Sequence, residues 1–236
     1  MCDGLEEPKV EDQVAGYAGI RARVRDVVEA AGADALDAPC RATPDWRVRD
    51  VLAHLAGVPD DILNGRLDGV ATDAWTQAQV DRRRDVSVAA MLDAWDVDGP
   101  KVQEMMPAFP PDILGQMLFD AMTHEHDIRH SLGACGAQDT DVVGQSLGWV
   151  VRVGSRERSE ALRLHTDVGE VAVGSGEPVV TISLSRFEFL RAATGRRSAV
   201  QIAGYDWHGA APRPELLLTA PIFSLAASDI VETPVA

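Results

Sequence analysis

The stretch PPDILGQMLFDAMTHEHDIRHSLG, residues 110–133, decides how the chain is read. Pro110-Pro111-Asp112 is a helix opening, because a first turn has N–H groups without intrahelical partners and tolerates proline. Leu132-Gly133 is the matching stop. Between them Asp120 and His124 stand four residues apart, so their side chains leave one helix face a turn from each other. Asp127 follows on nearly the same face, as a partner or cap for an imidazole or as a replacement ligand. His126 projects to the opposite side with Glu125 toward solvent, and His130 lies off the stripe. Such an acid and imidazole form either a two-ligand clamp for a metal ion or a local salt bridge.

A clamp of two ligands holds a metal weakly, so a third ligand has to come from another element. His54 is the candidate, since it follows Val51-Leu52 and precedes Leu55 in an otherwise apolar helix, where an unpartnered imidazole is costly to bury. An antiparallel bundle brings that helix against the one at 110–133 and points His54 at Asp120 and His124. Two imidazoles and a carboxylate, with one position left for water, make the open coordination of a catalytic zinc or similar divalent ion. A satisfied core histidine gives the same pattern in sequence.

The surrounding chain fits a bundle. VAGYAGIRARVRDVVEAAG (14–32) places Val14, Tyr17, Ile20, Val24, Val27 and Val28 at three- and four-residue steps and stops at Gly32. Thr43-Pro44 predicts the start of a second helix through WRVRDVLAHLAG, ending near Gly57. DAWTQAQVDRRRD (73–85) predicts a third helix. SVAAMLDAW opens a fourth, which Gly99-Pro100 should break or kink. A weaker sixth segment, DVVGQSLGWVVRVGSRER (141–158), carries three glycines. Trp46, Trp75 and Trp95 fall at helical positions expected to be bundle core.

After about residue 160 the texture changes. VAVGSGEPVVTISLS and SAVQIAGYDWHG alternate β-branched residues with turn-forming glycines around a short helical piece, SRFEFLRAATG. The boundary is expected in the charged stretch Ser155 to Ala161, giving a helical domain over 1–158 and a small α+β domain over 159–236. Nothing near His165 or His208 in the sequence suggests a metal.

Composition restricts the function classes. With 236 residues, 46% hydrophobic and 25% charged, the chain buries a core without disulfides and has no run resembling a membrane span. Its formal charge of -15, from 37 acidic and 22 basic residues, repels phosphate backbones and anionic lipid heads, so nucleic acid and membranes are excluded as expected partners. A small-molecule substrate and a monomer or homodimer are expected. The opening MCDGLEEPKVEDQ has neither a secretory nor a transit signature, and Cys2 (in a frayed tail), Cys40 and Cys135 are unpaired in spacing. Both features point to the reducing cytoplasm.

Two motifs carry a resemblance. PDWRVRDVLAHLAG (44–57), an aromatic and a charged turn before His-Leu-Ala-Gly, is similar to the N-terminal signature of the mycothiol-dependent maleylpyruvate isomerase family, within the wider DinB-like group of four-helix metalloproteins. HEHDIRHSLG, with a carboxylate four residues before its first histidine, is similar to the second signature, and SRFEFLRAATGRRSAVQIAGYDWHG resembles the appended sterol-carrier-like domain. The resemblance implies a DinB-like four-helix bundle followed by an α+β sterol-carrier-like domain. It implies that His54, Asp120 and His124 bind zinc, or nickel, with mycothiol as the thiol cosubstrate. It departs at Asp120, where the family carries glutamate, so a shorter carboxylate has to reach the ion.

The family chemistry is cis-trans isomerisation by thiol addition to a double bond. On that resemblance the expected function is a metal- and mycothiol-dependent isomerase or thiol transferase acting on a small electrophile. A non-catalytic small-ligand-binding metalloprotein and a metal-dependent hydrolase are the alternatives on the same scaffold. Maleylpyruvate is a dianion, so binding arginines are expected: Arg82, with Arg83 and Arg84, in DRRRD (81–85), and Arg196, with Arg197, in TGRRS (194–198). A solvated charge run or a helix C-terminus accounts for the same clusters.

Overall fold

The computed structural model describes residues 7–154, 156, 158 and 160–232. Cys2 and part of the expected boundary stretch lie outside them. The chain divides into two compact units, one built on Lys9–Gly136 and the other on Ala137–Thr233.

The first unit holds α1 (Val10–Ala31), α2 (Val48–Leu63), α3 (Asp73–Arg82), α4 (Val88–Met105) and α5 (Pro111–Ser131). Helix α1 packs on α4 and α5, and α2 packs on the same two, which closes a four-helix bundle; α3 lies against α2. The periodic residues Tyr17, Ile20, Val24, Leu52, Leu55, Trp95, Leu118 and Met122 form its core, each at most 2% exposed. Trp95 donates its Nε1–H to the Tyr17 hydroxyl at 3.0 Å, which satisfies the one polar atom of that buried ring.

Two helices depart from the boundaries their punctuation suggests. Helix α2 begins at Val48, after Thr43-Pro44, because those residues lie in a turn closed by the Trp46 N–H on the Thr43 carbonyl at 2.8 Å. The cap is instead a box in which the Asp50 carboxylate accepts from the Arg47 N–H at 2.9 Å. The helix then runs on past Gly57 and Pro59 to Leu63. Gly57 is there for contact: a Cβ on it would stand 2.7 Å from Cβ of Gln79, so it lets α3 approach α2 closely. Helix α4 likewise continues unbroken through Gly99-Pro100. Pro100 removes one backbone hydrogen bond, while Gly99 admits the Arg21 side chain, 2.9 Å from where a Cβ would sit. Helix α5 opens on proline as expected and ends with Gly133 at a φ of 68°.

In the second unit α6 (Asp141–Gly154) is followed by β1 (Ala161–Thr166), β2 (Gly169–Val173), β3 (Pro178–Ser183), α7 (Arg186–Ala193) and α8 (Ala199–Ala203). The strand order is β2-β1-β3, with β1 antiparallel to β2 and parallel to β3. Helix α6 packs on α7 and β2, so this segment groups with the sheet although its spacing reads as a further bundle helix. The stretch SAVQIAGYDWHG, expected to have strand texture, forms α8 at its start. There Ser198 caps the helix by accepting from the Gln201 N–H at 3.1 Å while Gln201 Oε1 accepts from the Ser198 N–H at 3.0 Å. That local box outweighs the β-branched content of a five-residue segment. The architecture is thus a helical bundle followed by a small α+β unit. No helix among the described residues is long and apolar enough to cross a membrane.

Candidate metal centre

Helix α2 carries His54 and α5 carries Asp120 and His124, and the packing of α2 on α5 brings them together. One ligand atom from each lies within 4.8 Å of the other two. His54 Nε2 is 3.0 Å from Asp120 Oδ2, and His124 Nε2 is 3.6 Å from Asp120 Oδ1. Atoms bonded to one ion at about 2.0–2.2 Å lie no more than roughly 4.4 Å apart, so only small rotations separate this arrangement from a coordination shell. The aspartate reaches despite its shorter side chain.

The protons on the two imidazoles follow from their other nitrogens. Gln79 Nε2 donates to the buried Asp61 carboxylate at 2.8 Å, which leaves Gln79 Oε1 as an acceptor facing His54 Nδ1 at 2.6 Å. Asp61 is in turn held by Arg66 at 2.6 Å and Arg82. The fully buried Asp127 carboxylate can only accept, and it lies 3.0 Å from His124 Nδ1. Both Nδ1 atoms therefore donate, and each Nε2 is the nitrogen turned toward Asp120. Protonated His54 donates its Nε2–H to Asp120 Oδ2 at 3.0 Å, and a cation taking that proton's place would leave the tautomer a metal-binding histidine requires. Burial alone would lower the His54 pKa, but the Asp120 carboxylate, with Gln79 and Asp61, outweighs it and sets that pKa above the ordinary histidine value. The donor set and its supporting hydrogen bonds fit a divalent ion.

Trp46 and Trp75 are half-buried and stand beside this cluster, whereas Trp95 alone of the three fills the core. The Trp46 ring lies 5.9 Å from His54 and 6.2 Å from His124, and Trp75 lies 6.4 Å from His54. Two aromatic walls thus flank the imidazoles, while the Asp120 side chain stays 38% exposed and reachable. Glu125 and His126 differ from the sequence expectation of solvent-facing groups: they are 0% and 3% exposed. Glu125 is fixed by Arg23 at 2.7 and 2.8 Å and by Arg129 at 2.9 Å, which makes it a structural carboxylate.

The expected arginines are in ion pairs. Arg82 joins Asp61, Arg83 meets Asp60 at 2.7 Å and Arg84 meets Asp81 at 2.6 Å. Arg82 is thereby linked to His54 through Asp61 and Gln79. In the second unit Arg196 is buried and donates to the Thr194 carbonyl at 2.8 Å, and Arg197 pairs with Glu188 at 2.7 Å and Glu232 at 2.9 Å. Gln79, Asp61 and the Trp46 and Trp75 walls were not singled out for the site from sequence.

The first unit is a four-helix bundle that presents a preformed two-histidine, one-carboxylate donor set. Residues 17–129 match the Mycothiol maleylpyruvate isomerase N-terminal domain family, and this unit belongs to it. The match contains all three donor residues. The crystal structure of the mycothiol-dependent maleylpyruvate isomerase is similar in fold, with a TM-score of 0.58 over 82% of this chain and 92% of that chain at 13% identity. A mutant of that enzyme aligns with a TM-score of 0.57 at 12% identity over the same shares. No curated protein matches the sequence.

Proposed function

We propose that this protein is a divalent-metal-dependent enzyme that uses mycothiol, or a thiol of that class, to isomerise or transfer to a small electrophile. The observation that carries the reading is the convergence of His54 Nε2, His124 Nε2 and an Asp120 oxygen within 4.8 Å of one another, while each Nδ1 is held by its own acceptor. His54, Asp120 and His124 would hold the ion, zinc before nickel given two imidazoles and a carboxylate. When bound, the ion would supply Lewis acidity and lower the pKa of a coordinated thiol or water.

The chain's own residues do the rest. Gln79 and Asp127 fix the imidazole orientations, and Trp46 and Trp75 exclude water from one side of the cluster. Among the described residues, the cysteines Cys40 and Cys135 supply no ligand to the triad, consistent with a nucleophile brought by a cosubstrate. Arg82, tied by hydrogen bonds to the donor cluster, is our candidate for the substrate's anionic group.

Elemental analysis of the purified chain and of His54→Ala tests the metal. About one equivalent per chain, lost in the variant, is expected; metal-free protein with the native fold would overturn the reading. A panel of thiols against maleylpyruvate then separates the chemistries. Mycothiol-dependent turnover is expected, and thiol-independent turnover would indicate a hydrolase instead.

A further inference from the structure

The sheet of the second unit carries another cluster of imidazole and carboxylate side chains, remote in sequence from the first. His165 on β1 is the register partner of Glu170 on β2 and of Ser183 on β3. Ser183 in turn bridges to Asp206 beyond the sheet. Directly paired residues present their side chains to the same face, so Glu170, His165, Ser183 and Asp206 form one row across the strands. His208 is folded onto that row. Its backbone adopts a φ of 49°, rare for a residue with a side chain, and its N–H is held by Asp206 Oδ1 at 2.9 Å.

The two imidazoles repeat the ring spacing of the bundle site, although among the described residues only His54, Asp120 and His124 bring three donor atoms within 4.8 Å of one another, so here a carboxylate has to rotate to complete a donor set. The His165 and His208 centroids are 5.0 Å apart at 83°, against 5.0 Å and 79° for His54 and His124. Two imidazoles bound to one ion at about 2.0–2.1 Å with a tetrahedral angle have centroids roughly 5 Å apart. Each imidazole also has a carboxylate beside it: His165 Nε2 lies 3.4 Å from Glu170 Oε2, and His208 Nε2 lies 3.8 Å from Asp206 Oδ2. Arg163 occupies the other oxygen of Glu170, at 3.3 Å. Ser183 Oγ is 2.8 Å from His208 Nε2, and a hydroxyl can rotate its hydrogen away when a cation takes that lone pair.

We propose that His165 and His208 form a second, surface-exposed site for a late first-row divalent cation, completed by the Asp206 or Glu170 carboxylate. Both carboxylates are more than half exposed, at 66% and 58%, so either can exchange the surface contacts just named for an ion. The site is open to water on its outer side and, among the described residues, neither imidazole has the supporting Nδ1 acceptor that His54 and His124 have, so it binds more weakly than the bundle site. Imidazole nitrogen donors rank copper(II) above zinc.

The test uses the full chain in equilibrium dialysis against copper(II) and zinc, with copper(II) electron paramagnetic resonance as a second readout. His54→Ala silences the bundle site, so the outcome here is separate from the fate of the proposed function. That variant should still bind one equivalent, copper(II) more tightly than zinc, with a spectrum showing nitrogen coupling. Adding His165→Ala or His208→Ala should each weaken binding by at least about tenfold, the loss that even an outer partner of a ligand causes. Both positions are exposed, and circular dichroism verifies the fold. No binding in the His54→Ala chain, or binding indifferent to both added substitutions, would overturn the proposal.

Discussion

At the scale of single residues, the site rests on hydrogen bonds that decide which nitrogen faces inward. Asp120, His124 and His54 were readable from four-residue spacing and from an imidazole in an apolar run. Asp127 was readable as a partner on the same face. Gln79 was not, because its role exists only once Asp61 has oriented its amide. Replacing it with the similarly sized Gln79→Met removes the acceptor at His54 Nδ1 without opening a large cavity. Metal affinity should fall about 10–100-fold, measured by competition with a chromophoric chelator. A variant that is less stable but binds metal as tightly as the parent would reduce Gln79 to a packing role. The opposite misreading, of Glu125 and His126 as solvent-facing, arose because helical geometry gives the angle of a side chain but not what packs beyond it.

At the scale of elements, glycine and proline were taken as punctuation and twice were not. Gly57 and Gly99 lie within helices where another side chain approaches, and nothing local distinguishes such a glycine from a stop. Gly57→Ala tests the close contact by its sign. An uncrowded glycine inside a helix would gain about 1 kcal/mol of helix propensity on becoming alanine. Here the new Cβ would lie 2.7 Å from Gln79 Cβ and 2.9 Å from its Cγ, and overpacking of that kind costs about 1–3 kcal/mol. The clash wins, because α3 has to move as a unit. The variant should melt at lower temperature and, since Gln79 is displaced, bind metal more weakly. A higher melting temperature would contradict the close approach of α3 to α2. The same limit of local reading applies to α8, where a cap at Ser198 and Gln201 overrides β-branched content.

Across the whole molecule, the charge of -15 and the buried ion pairs pull stability in opposite directions as pH falls. Titrating toward the isoelectric point near 4.7 relieves the mutual repulsion of the carboxylates. Particular carboxylates oppose this. Burial would raise the pKa values of Asp50, Asp60 and Glu188, but Arg47, the pair Arg66 and Arg83, and Arg197 respectively outweigh it and hold them below the usual range. A carboxyl group with a depressed folded pKa contributes stability that is complete above its unfolded value, about 4, and is lost as pH falls through its folded one. The melting temperature should therefore hold or rise from pH 7 to about 5 and fall steeply below about 4. Glu188→Gln isolates one member. Its amide still accepts from Tyr205, whose hydroxyl lies 2.9 Å from Glu188 Oε2, but gives up the charge facing Arg197. The variant should be less stable than the parent at neutral pH, with the gap closing below about pH 4 as the parent's own Glu188 takes up its proton. Thermal melts of both proteins across that range measure it, and a gap that stays constant with pH would mean that the Glu188–Arg197 charge pair contributes nothing to acid sensitivity.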